Sequence, residues 1–191
     1  MTGPLQVHHS HLPLYRVVRR AWLDPLDSSY SRRQPDNRWN PPNAFPVFYT
    51  ACSERVARAV TQERYQALGL EFDEIQSDWQ PQLVEISWTG DVVDLASSEG
   101  ITVAGFPPES PEEVEFHKTQ PKALQWYASG EQGIVCRSAS LARVRPNKDW
   151  SGSCASWGEV AIFTDNAGQA ARVIRRRDDT EWLRITHYLR G

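Results

Sequence analysis

The chain has 191 residues, 40% of them hydrophobic and 24% charged, with a formal net charge of −3. That suits one domain with a sizeable core, and the balance of charge offers no field for nucleic acid or an anionic membrane. Three dispersed cysteines (Cys52, Cys136, Cys154) without metal spacing, no apolar run near the roughly 18 residues of a membrane span, and no signal-peptide order at the start lead us to expect a reduced, cytoplasmic protein.

Residues 1–13 are expected as a flexible lead-in and 14–191 as one domain. His8, His9 and His11 have no cysteine or carboxylate cluster beside them and read as a solvated tail, not a metal site. Residues 14–18 are expected as a first strand, with Tyr15 and Arg16 facing opposite ways. Residues 24–36 read as loop, with Arg32 and Arg33 on a solvated face. Eight tryptophans suggest aromatic-lined surfaces or a tryptophan-rich core.

The stretch 37–50, N-R-W-N-P-P-N-A-F-P-V-F-Y-T, organises the rest. Pro41 and Pro42 fix φ and donate no backbone hydrogen bond, so the segment is a stiff turn or extended piece, and residues 45–49 read as a strand. Stiffness would hold Arg38 and Asn40 beside the sheet, which suits recognition of a planar anion. The structural alternative is an aromatic-proline turn with Arg38 in an ion pair.

A helix is expected from Ser53, a plausible N-cap, with Glu54 favourable against the dipole, to Gly69 as the terminating glycine. At 100° per residue, Val56, Val60, Glu63 and Ala67 share one wedge. Glu63 would sit in an apolar stripe, costly for a carboxylate without a partner; it is either functional or an edge residue reaching water or an arginine. Residues 70–81 read as an acidic connector, 83–88 as a strand, and 89–91 as a turn into a strand over 92–95. Residues 105–111 read as loop, and 111–130 as a helix broken or entered at Pro121 as its first-turn proline. A short strand at 134–136 ends at Arg137 and Ser138. Then come a loop (145–157), a buried strand (158–163), an edge strand (171–176) and a closing helix (181–190). The basic run 175–177 is cancelled by Asp178 and Asp179. Common nucleotide, zinc-protease and serine-hydrolase motifs are absent. The mix is α/β or α+β, strand-rich.

The order Y-R-V (15–17), N-R-W-N-P-P (37–42), P-V-F-Y-T-A (46–51), G-I-V-C-R-S-A (133–139) and a strand near 159–163 resembles the RES-domain family, named for its Arg, Glu and Ser. The resemblance spans about residues 14–175. It implies an α+β fold related to ADP-ribosyltransferases, with central strands and flanking helices. It also implies an NAD⁺ glycohydrolase or phosphorylase, the toxin of a bacterial toxin–antitoxin pair, neutralised by a small Xre-type helix-turn-helix antitoxin. The family's arginines fall on Arg16 and Arg38, its tyrosine on Tyr49 and its serine on Ser138. Its glutamate falls on Val60; Glu63 lies about one turn on, roughly 4.5 Å along the axis.

Cleaving the nicotinamide–ribose bond develops positive charge at the anomeric carbon. Glu63, Ser138 and Arg38 are therefore the expected catalytic residues, with Glu159 the alternative acid, since electrostatic stabilisation is usually the largest contribution. Arg16, Tyr49, Asn40 and Arg137 are the expected substrate-binding residues. The scheme needs no metal or cofactor beyond NAD⁺ as substrate, with inorganic phosphate a potential co-substrate. The competing expectation is a RES-like protein that binds a nucleotide or partner without turnover. Self-association is left open by the sequence.

Overall fold

The structure, a computed structural model, describes residues 3–10, 13–34, 37–70, 75–110, 114–144, 150, 153–168, 170–178 and 181–184. Its centre is one sheet of eight strands: β1 (Gln6–His9), β2 (Leu14–Arg19), β3 (Val47–Ala51), β4 (Pro81–Ser87), β5 (Gly90–Leu95), β6 (Gly133–Arg137), β7 (Gly158–Phe163) and β8 (Arg172–Arg177). Their spatial order is β1-β5-β6-β7-β3-β2-β4-β8. Every neighbouring pair is antiparallel except β5 and β6. A parallel pair needs a long crossover, and helices α2 (Ser98–Val103) and α3 (Phe116–Ala128) lie within it. The other helices are α1 (Glu54–Ala67), α4 (Ala139–Val144) and α5 (Glu181–Arg184). This is an α+β fold.

Chain geometry forces the sheet to curl. Strands β4 and β5 are five positions apart in the order, which in a flat sheet would be about 24 Å at the usual strand spacing. Yet Ser87 is followed so soon by Gly90 that the link can reach only about 11 Å. The chain runs almost straight from one flank to the other, so the sheet must bend to bring the flanks together.

Two hydrophobic clusters pack on this curled sheet. One gathers Leu14, Phe48, Leu83, Val160 and Val56 of α1; the other gathers Phe45, Val47, Val93, Ile134 and Trp126 of α3. Trp39, Trp88, Trp126 and Trp157 are buried whereas Trp79 is exposed, so tryptophan here serves chiefly as core.

Several expectations change. Residues 6–9, expected in a flexible lead-in, form edge strand β1 on β5. There His8 pairs with Asp91 at 2.8 Å and His9 is buried; His11 lies outside the described residues. Helix α1 has its expected N-cap, the Ser53 hydroxyl accepting from the Val56 N–H at 3.3 Å, and Gly69 adopts φ +64°, open to glycine at little cost. Its apolar stripe is not the expected one. The helix packs on β2, β3, α4 and α5, burying Val56, Ala57, Ala59 and Thr61, while Val60 and Ala67 are exposed and Glu63 is half-buried at the rim. Pro121 lies inside α3, not in its first turn; the interior site lacks the N–H that would reach His117. Helices α2 and α4 were not expected, and residues 185–190 of the closing helix are outside the described residues. No helix among the described residues is long and apolar enough to cross a membrane.

Candidate active site

Strand alternation decides which side chains can meet. Cys136 pairs with Glu159 and Ala51 with Glu159; Tyr49 and Ile134 both pair with Ala161. Partners and every second residue share a face, so Tyr49, Cys136 and Glu159 project from one face of β3, β6 and β7. They form the floor of a cleft of about 150 Å³. Arg38 and Trp39 come from the loop before β3, Glu63 from α1, and Ser140 and Arg143 from α4.

The loop 37–44 is tied down at both ends. The Asn37 and Asn40 amides donate to the Ser31 carbonyl at 2.6 and 2.9 Å, and the Ser31 hydroxyl accepts from the Val47 N–H at 2.8 Å. Asn43 takes φ +63°, a left-handed conformation that asparagine tolerates better than most residues. From the other side, α3 reaches over: Thr119 donates to the Arg38 carbonyl at 2.6 Å and Gln120 to the Asn37 carbonyl at 2.8 Å. Arg38 itself donates to the Val114 carbonyl at 2.9 Å and lies 5.2 Å from the Phe116 ring centroid. The guanidinium is thereby aimed, and its charge acts on Glu159 and Cys136.

Two carboxylates and two arginines meet here. Glu63 accepts from Arg143 at 2.6 Å, its side chain 40% exposed. The Glu159 carboxyl accepts a hydrogen bond from the Ser138 hydroxyl. Burial pushes the Glu159 carboxyl above the usual carboxylate range, Glu63 adds to that, and Ser138, Arg38 and Arg143 oppose it. Burial likewise raises the Tyr49 phenol and the Cys136 thiol, so both stay neutral at ordinary pH.

The expected site residues divide. Arg38, Glu63 and Tyr49 line the cleft together with part of Arg137. Tyr49 offers its ring and not its hydroxyl, which donates to the Asn40 amide oxygen at 2.8 Å and accepts from the Trp39 N–H at 3.1 Å. Asn40 is fully buried and fixes the loop. Ser138 is also fully buried and caps α4, accepting from the Leu141 N–H at 3.2 Å. It touches the cleft only through Glu159.

Arg16 is absent from the cleft. It lies on β2 beside Phe48, 4.2 Å from the ring centroid, and donates to the Asp27 carbonyl at 2.9 Å; burial lowers its pKa to about 10. Phe48 and Tyr49 are successive residues of β3 and face opposite ways, which separates Arg16 from the site. Alternation also turns the Arg137 side chain away from Cys136. Arg143 was missed. Its signal was the helical segment after a capping serine, A-S-L-A-R-V behind Ser138.

The model of the RES domain matches residues 13–185. The chain belongs to the RES-domain family. Among solved structures, this RES domain is similar to a chain of the crystal structure of the M. tuberculosis MbcT–MbcA toxin–antitoxin complex, with TM-score 0.68 and 18% identity over 87% of this chain and 82% of that one. Comparison with curated proteins gives no match. At that identity the likeness supports the fold of the RES domain alone.

Proposed function

We propose that this RES-domain protein cleaves the nicotinamide–ribose bond of NAD⁺ and serves as the toxin of a toxin–antitoxin pair. The observation that carries this reading is the convergence of Arg38, Tyr49 and Glu63, from three separate segments, on one cleft whose floor holds Glu159. The cleft is smaller than the usual few hundred Å³ of a ligand pocket, so it takes the nicotinamide–ribose end and leaves the remaining nucleotide at its mouth.

In this reading the Tyr49 ring supports the nicotinamide and Arg38 meets a phosphate oxygen. As the bond to nicotinamide breaks, its electron pair leaves with the neutral ring and the anomeric carbon becomes cationic. The Glu63 carboxylate, steadied by Arg143, stabilises that charge; water then bonds to the carbon through its oxygen and releases a proton to solvent, or inorganic phosphate bonds through an anionic oxygen. Ser138 is a positioning residue acting through Glu159. Glu63 takes the place of the family glutamate although Val60 occupies the matching position; the rim placement of α1's second half brings it to the cleft. An Xre-type helix-turn-helix antitoxin is the expected partner, the solved relative being a toxin–antitoxin complex.

A second reading, binding of a nucleotide or partner without turnover, is favoured by one observation: the Glu63–Arg143 ion pair already neutralises the candidate catalyst. Incubating the purified protein with NAD⁺, with and without inorganic phosphate, and identifying products by NMR separates the two. Free nicotinamide with ADP-ribose or its 1″-phosphate is expected; bound but intact NAD⁺ would establish the second reading.

A further inference from the structure

On the opposite face of β6, a second and larger cavity of about 620 Å³ opens between Val135, Asp94, Ser98, Arg137, Trp150 and Trp157. It lies within the usual size range of small-molecule sites, and three features of its wall are unusual together. The first is the Arg137 guanidinium, on a residue only 6% exposed. Its Nε donates to the Ala96 carbonyl at 3.0 Å, Nη1 to the Pro108 carbonyl at 2.8 Å and Nη2 to the Ser98 hydroxyl at 3.1 Å. All three acceptors are neutral, and among the described residues one N–H on each Nη has no acceptor, because a guanidinium carries five. Burial makes that cation costly, and the nearby Asp94 charge acts on it with no hydrogen bond between the two among the described residues. The acid that lines the same cavity, Asp94, is occupied otherwise: it accepts from the Ala96 and Ser97 N–H groups at 2.8 and 3.0 Å and from the Ser97 hydroxyl at 2.5 Å.

The second feature is an orphan donor. Trp157 is 4% exposed, and its indole N–H is buried with no acceptor among the described residues, an arrangement that costs free energy unless something accepts it. The third is an aromatic corner. Trp150 and Trp157 meet edge to face at 5.3 Å and 67°, and Trp150 also lies 5.6 Å from the Arg137 guanidinium. A planar ring can stack on one indole and meet the edge of the other.

We propose that this cavity is a second ligand site, separate from the catalytic cleft, for a small planar aromatic anion whose phosphate or carboxylate meets Arg137 while its ring sits against Trp150 and Trp157. The two sites share only Arg137, which ends β6 between them. The guanidinium fork favours an oxyanion over a neutral acceptor, and the Asp94 oxygens, taken by the Ala96 and Ser97 donors, leave the remaining N–H groups of the fork to a ligand.

Titration of tryptophan fluorescence with AMP, indole-3-acetate and uncharged adenosine tests this without reference to NAD⁺ turnover. Saturable quenching by at least one of the two anions is expected, and which of them binds tells phosphate from carboxylate. Arg137→Gln should weaken it about tenfold or more, as loss of a charge-assisted contact does. Should Arg137→Gln fail to fold, Trp157→Phe, which removes only the indole N–H and part of the ring area, should still weaken binding measurably by calorimetry. Binding of adenosine as tight as that of the anions, affinities unchanged in the folded variants, or no saturation by either anion at millimolar concentration would overturn the assignment.

Discussion

Glu159 carries the clearest pH signature of any single residue. Burial raises its carboxyl in the folded protein above the unfolded value, so between those two values the native state holds the extra proton and stability falls as pH rises. In Glu159→Gln that slope disappears. Thermal melts of the two proteins should therefore diverge in favour of the variant as pH climbs through the ordinary carboxylate range and beyond, then run parallel; a gap that closes with rising pH would contradict the assignment. Arg16 gives the opposite kind of test. Sequence resemblance made it a substrate residue, but its guanidinium packs on Phe48 away from the cleft, so Arg16→Gln should change thermal stability and leave the KM for NAD⁺ where it was. The stiffness of the loop 37–42 was legible because Pro41 and Pro42 fix φ and donate no backbone hydrogen bond. The face on which Arg16 and Arg137 project was not, because alternation along a strand says which residues agree, not which agreeing set faces the site.

Among the elements, β7 was legible to the residue and α1 nearly so, since a capping serine, a terminating glycine and a continuous apolar run are local signals. Helices α2 and α4 are each six residues long, too short to show a period. Helix α2 depends on close approach: a Cβ on Gly100 would stand 2.0 Å from the Asp94 carbonyl oxygen. Gly100→Ala should therefore destabilise the protein by about 1–3 kcal/mol, as overpacking commonly does, read as a Tm lowered by several degrees; an unchanged Tm would mean that α2 is not seated against β5 as described. The extent of α1's buried face was misjudged for a related reason. Contacts from α4 and α5 bury its first turns nearly all round, and no helical wheel contains those neighbours.

At the scale of the whole molecule, the curled sheet makes the site. It sets β3, β6 and β7 side by side, and side chains of α1 and α4 reach the cleft that opens on their shared face. Sequence order could nominate Arg38, Tyr49 and Glu63, but that they meet follows from strand order, which is a long-range property. Arg143 belongs to this scale too: its pairing with Glu63 joins two helices. Arg143→Gln should lower kcat for NAD⁺ less than removal of the carboxylate does, with a small change in stability because the pair is half exposed. Equal losses in the two variants would mean that Glu63 acts only while Arg143 holds it in place.

The central claim is that Glu63 supplies the charge opposite the breaking nicotinamide–ribose bond. Steady-state NAD⁺ consumption by the unaltered protein and by Glu63→Gln, each verified as folded by its melting transition, tests it most directly. A fall in kcat of about 10²–10³-fold is expected, the scale of losing one electrostatic stabiliser. A folded Glu63→Gln protein that consumes NAD⁺ at the unaltered rate would contradict it.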